Sequence, residues 1–199
     1  MKRLLLVASA LLFCARIVSA QDHIHGTELE PSESTPDSIY QVDSQWTASD
    51  GRQLRLSELA GKPRLIALFY ASCASACPAI VDAMQRVERD IQAGDELGFI
   101  LVTFDTDEDT PAVLAQYAAK RRLDRTKWSL LRGGEDDTRE LAVLLGSKYK
   151  KLAPRSFAHS NLIALLDKDG RIVARAKSLS DIPSFSSDVR AFLAASVAK

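Results

Sequence analysis

An uninterrupted apolar run, Arg64 to Tyr70 (RLIALFY), leads directly into Cys73-Ala74-Ser75-Ala76-Cys77-Pro78, and beyond Pro78 apolar side chains recur at Ile80, Met84, Val87 and Ile91. A run of that kind is a strand covered on both faces, and a recurrence every three to four residues is one face of a helix, with Gly94 available as its stop. This junction restricts the fold more than any other feature. It predicts a strand–helix unit with two cysteines in the turn, and in open α/β sheets that turn faces a crevice where sites are built.

The unit recurs. Leu97 to Phe104 (LGFILVTF) reads as a second buried strand, followed by a helix that starts at Thr110-Pro111 and carries Val113, Leu114 and Tyr117 inward. Lys127 to Leu131 suits a short strand and Asp136 to Leu145 a helix. Asn161 to Asp167 and Arg171 to Ala176 surround Asp169-Gly170, a two-residue turn of the type that joins antiparallel strands. Phe185, Val189, Phe192 and Leu193 give a closing helix its apolar face. Upstream, Tyr40 to Trp46 and Gln53 to Leu56 flank Ala48-Ser49-Asp50-Gly51 as a hairpin. The class is α/β, a mixed sheet covered by helices on both faces. This order of elements resembles the thioredoxin fold, in its peroxiredoxin-like branch with an N-terminal β-hairpin.

Lys2 and Arg3 precede an apolar run from Leu4 to Ala15, and Val18-Ser19-Ala20 supplies small residues for cleavage. Residues 1–20 therefore read as a secretory signal peptide, since Arg16 ends the run well short of the ~20 residues that span a bilayer. Cleavage takes Cys14 with the leader and leaves no membrane anchor. It also removes three of 26 basic residues and none of 26 acidic ones, for a formal charge of −3. Such a chain has no basic field for nucleic acid. Residues 21–38, acidic and rich in Ser, Thr and Pro, read as a flexible segment, and residues 39–199 as one domain. The expected compartment is the periplasm, where a cysteine pair is joined, recycled by a reductant or bound to metal.

Cys73 and Cys77 are the cysteines left in the mature chain. The positive end of the following helix favours thiolate, so both sulfurs are expected to be ionisable and close together. A purely structural disulfide would close too short a loop to stabilise much. His159, in Phe157-Ala158-His159-Ser160, is the one histidine inside the expected domain. If the strand after it runs antiparallel to Arg64–Tyr70, its start lies at the same sheet edge as the cysteines, and three soft or borderline ligands converge. A surface histidine is the plain alternative.

Phe69 to Pro78 (FYASCASACP), Asp105 to Pro111 (DTDEDTP) and Ala158 to Asp167 (AHSNLIALLD), in this order, resemble the Sco/SenC family of copper-binding, thioredoxin-fold proteins of cytochrome c oxidase assembly. The resemblance covers Ile39 to the C-terminus and implies copper ligands at Cys73, Cys77 and His159. The chain departs from it at Ala74 and Thr106, where family members often carry Pro.

Two thiolates and an imidazole suit Cu(I) and can hold Cu(II), whereas zinc, which also accepts such a set, lies below copper in affinity. The implied role is a metallochaperone that passes copper to a cytochrome c oxidase copper subunit or another copper chaperone. A thiol–disulfide oxidoreductase using Cys73 and Cys77, with His159 dispensable, is the enzymatic alternative. Ala74, standing where a peroxiredoxin has a hydroxyl residue, argues against peroxide reduction. Asp105 is a candidate outer partner of His159 or a partner contact, whereas Asp107, Glu108 and Asp109 read as a solvated loop that charges the next helix start favourably. Met84 reads as core. Cleavage after Ala20 would make His23 third from a free amine, with His25 nearby, an accessory Cu(II) arm.

Overall fold

The computed structural model describes residues 38–74, 76–92 and 94–197. The leader, most of the acidic segment, Cys14, His23 and His25 lie outside them. Strands β1 (Trp46–Ala48), β2 (Gln53–Leu54), β3 (Arg64–Phe69), β4 (Gly98–Thr103), β5 (Trp128–Arg132), β8 (Ile163–Leu166) and β9 (Ile172–Ala176) form a seven-stranded mixed sheet in the order β2-β1-β5-β4-β3-β8-β9. Helices α1 (Ala76–Ile91), α2 (Pro111–Lys120), α3 (Glu135–Leu145) and α4 (Ile182–Val197) accompany it. Strands β6 (Tyr149–Ala153) and β7 (Ser156–His159) form a separate two-stranded ribbon.

The central strands behave as their composition demands. Every residue of β3 and of β4 is buried, so both faces of the sheet are covered at its middle. The two are parallel, Arg64 opposite Gly98 and Phe69 opposite Thr103, which brings both C-terminal ends to one edge. β8 pairs antiparallel to β3, with Ile163 opposite Ala67, so the start of β8 lies at that same edge. Met84, Ile80 and Val87 on α1 are fully buried, as their stripe predicted. Phe185 and Val189 seat α4 in the core.

Two expectations change. The N-terminal hairpin forms, with Trp46 opposite Leu54, but its arms are shorter than the sequence suggested. Ile39–Gln41 is a 3-10 turn, because the Ser38 hydroxyl accepts the Tyr40 amide proton at 3.1 Å and the Ile39 amide donates to the Gly170 carbonyl at 3.0 Å. That segment is spent on the β8–β9 turn and cannot also pair as a strand. The sequence pattern predicts no β6–β7 ribbon, and His159, expected just ahead of β8, stands at the end of β7.

Candidate metal centre

Cys73 closes the turn after β3, its amide donating to the Tyr70 carbonyl at 3.3 Å, and Cys77 is the second residue of α1. Pro78, third in the helix, occupies the first turn, where an amide hydrogen would have no helical acceptor. The Cys77 amide donates to Cys73 Sγ at 3.4 Å, so the start of α1 polarises the first sulfur directly. His159 ends β7. Its Nε2 lies 3.6 Å from Cys77 Sγ, and one ligand atom from each of Cys73, Cys77 and His159 lies within 4.8 Å of the others.

The ribbon sets the ring. Tyr149 is opposite His159 and Lys151 opposite Phe157, so these four share one face of the ribbon. That face lies on aromatic rings at the ends of β3 and β4. Phe104 stacks on Tyr149 at 4.9 Å and lies 5.4 Å from the His159 ring, and Tyr70 meets His159 edge-on at 6.1 Å. The other ring nitrogen, Nδ1, is 3.2 Å from the Ser160 carbonyl oxygen. A carbonyl only accepts, so Nδ1 carries the proton and Nε2 turns a lone pair toward Cys77, the tautomer a metal requires.

Cys73 and Cys77 are not joined in a disulfide, and they differ in access. Cys77 is fully buried, whereas Cys73 lines a cleft of about 310 Å³. Burial pushes the Cys77 thiol well above its usual value, reinforced by the hydrogen bond and charge of Cys73. The expectation that both sulfurs ionise readily is therefore corrected for Cys77: removal from water outweighs the pull of the helix end. Tyr70 is also pushed up, first by burial and then by its hydrogen bond to Cys73.

The acidic run is divided in a way its sequence did not reveal. Asp109 is buried, and its Oδ2 accepts from the Ala71 amide at 2.8 Å and from Thr103 Oγ1 at 2.5 Å. It thereby ties the turn before Cys73 to the end of β4, a role missed because nothing in the run distinguishes it from its neighbours. Asp107 and Glu108 are exposed, as a solvated loop should be, and they also reach the ribbon, Asp107 pairing with Lys151 at 2.9 Å and Glu108 with Arg155 at 3.5 Å. Asp105 is not hydrogen-bonded to His159, whose Nδ1 partner is Ser160. The Asp105 side chain is 1% exposed, neither carboxylate oxygen has a hydrogen-bond partner, and burial with the nearby Asp109 charge raises its pKa.

The chain is similar to known proteins over most of its length. The SCO1/SenC family model matches residues 33–194. The SCO1 protein homolog of Bacillus subtilis (strain 168) is 23% identical over 138 residues, 67% of this chain and 72% of that one. Bradyrhizobium japonicum ScoI with copper bound superimposes with a TM-score of 0.62 at 26% identity, over 75% of this chain and 94% of that one. A SCO1/SenC family lipoprotein of Bacillus anthracis str. Ames gives a TM-score of 0.67 at 20% identity, over 82% and 93%.

Proposed function

The chain belongs to the SCO1/SenC family, and from that premise we propose that it is a copper carrier whose cargo is held by the sulfurs of Cys73 and Cys77 and Nε2 of His159. The observation that carries this reading is the meeting of three ligand atoms from a turn, a helix start and a ribbon within 4.8 Å. Two thiolates suit Cu(I), and the added imidazole gives Cu(II) a ligand it accepts, so one site serves both oxidation states. Copper bound to the related ScoI of Bradyrhizobium japonicum supports the choice of metal.

Access also favours carriage. All three ligand residues are buried, but of them Cys73 is the one that lines the cleft, so an incoming ligand that enters there meets Cys73 first. Copper can then pass by stepwise ligand exchange. The receiving protein is proposed to be a copper centre of cytochrome c oxidase or another copper chaperone, as the family resemblance implies. The proposed place is the periplasm, reached through the leader at residues 1–20. Among the described residues no helix is long and apolar enough to cross a membrane.

Titration of the reduced protein with Cu(I) and with Cu(II) tests the reading. One equivalent of either should bind, with a sulfur-to-copper absorption band for Cu(II). His159→Ala should abolish tight Cu(II) binding and leave thiol–disulfide exchange intact. Undiminished Cu(II) binding in His159→Ala would favour a dithiol oxidoreductase.

A further inference from the structure

The cleft beside Cys73 has a chemistry that copper does not use. Ala71, Val113 and Pro78 are among the residues that line it, as are Tyr117 and Lys120 in the last turn of α2. There Lys120 is exposed and has no carboxylate partner among the described residues. Arg121 uses one terminal nitrogen on the Pro78 carbonyl, at 3.2 Å, and on the Asp82 carboxylate, while its Nε has no partner. Tyr117, nine-tenths buried, lines the same cleft, and its hydroxyl also lacks a partner. The acids of the cleft are already engaged, Glu108 by Arg155 and Asp109 by Ala71 and Thr103. What remains is an exposed cation on a cleft that Cys73, and not Cys77, also lines.

We propose that this cleft binds small thiols bearing a carboxylate, and that they exchange with Cys73. The volume admits a molecule no larger than a short peptide, and Lys120 and Cys73 line the same cleft, the one suited to a carboxylate and the other to a thiol. In the oxidised protein, a thiolate RS⁻ attacks Cys73 Sγ. The Cys73–Cys77 bond breaks as a Cys73–SR bond forms, and the Cys77 sulfur leaves with the electron pair and takes a proton. A second thiolate attacks the R-side sulfur, releasing RSSR and the Cys73 thiolate. Two electrons pass from two small thiols to the protein pair, which is then free to bind metal. The exchange needs no copper and stands or falls separately from the metal site.

The test compares mercaptoacetate, 2-mercaptoethanol and cysteamine as reductants of the oxidised protein, with each rate normalised to thiolate concentration and thiol basicity. One exposed charge on the cleft wall, acting through a dielectric near that of bulk water, predicts a preference of about three- to tenfold for the acid over the neutral thiol, and the reverse for the amine. The preference should collapse in high salt and invert in Lys120→Glu. A second arm uses Cys77→Ser with the corresponding symmetrical disulfides, where mass spectrometry reads the mixed disulfide on Cys73. The same order of rates is expected there. Rates set by thiol basicity alone in both arms, or an order unchanged by Lys120→Glu, would overturn the proposal.

Discussion

Replacing Asp105 should make the protein more stable, although the residue is buried beside the metal ligands' supporting aromatics. Asp105 is 1% exposed and both carboxylate oxygens lack hydrogen-bond partners, so the folded state holds a carboxylate stripped of water with the nearby Lys151 charge, and no hydrogen bond, to offset the loss. Leaving a buried polar group unpaired costs about 1–3 kcal/mol. Asp105→Leu, with the same branching and no charge, should recover about that much. For a domain of about 160 residues the unfolding entropy is roughly 0.3 kcal/mol/K, so the Tm should rise by about 3–9 °C at pH 7. The gain depends on pH in a definite direction. Burial raises the folded-state pKa of Asp105 above its unfolded value, so the wild type is unpenalised while the carboxyl is protonated in both states. The penalty grows as pH rises from the unfolded pKa through the folded one. Thermal denaturation followed by circular dichroism at pH 7 and near pH 3 should therefore show the Asp105→Leu advantage at the higher pH and its disappearance at the lower. Asp109→Ala supplies the contrast, because it orphans the Ala71 amide and the Thr103 hydroxyl and should cost about 2–4 kcal/mol. A loss at pH 7 in Asp105→Leu as large as that of Asp109→Ala would refute the reasoning.

Other expectations follow from the same geometry. Cu(I) uptake displaces the raised Cys77 proton, so apparent affinity should climb about tenfold per pH unit for each thiol proton released, as competition with a chromophoric chelator across pH would measure. Phe104→Ala removes the ring between Tyr149 and His159, and should cost about 3–5 kcal/mol in chemical denaturation while weakening Cu(II) more than Cu(I). Gly133→Ala would set a Cβ 2.5 Å from the Trp46 ring, which is fully buried, and should cost about 1–3 kcal/mol by the same assay.

The parts of the fold legible in the sequence are those whose apolar pattern is decided locally. β3, β4 and α1 show their burial in composition alone, and Asp169-Gly170 announces the antiparallel pairing of β8 with β9, whereas that of β8 with β3 is a condition the sequence leaves to the structure. β6 was invisible because all of it except Tyr149 is exposed, so Lys150, Lys151 and Leu152 show no alternation of buried and exposed positions. The signal that did exist lay in β7, where Phe157 and His159 alternate with Ala158. Cys73, Cys77 and His159 stand out as a set through the family resemblance, and the fold brings one ligand atom of each within 4.8 Å of the others. Asp109 does not stand out, since its importance comes from Ala71 and Thr103, which reach it only once β3 and β4 are side by side.

X-ray absorption at the copper edge of the Cu(I)-loaded protein tests the central claim most directly. The account predicts two sulfur scatterers and one imidazole nitrogen, with loss of the imidazole signal in His159→Ala and of one sulfur in either Cys73→Ser or Cys77→Ser. An imidazole signal that persists in His159→Ala, or a sulfur shell untouched by both cysteine replacements, would contradict it.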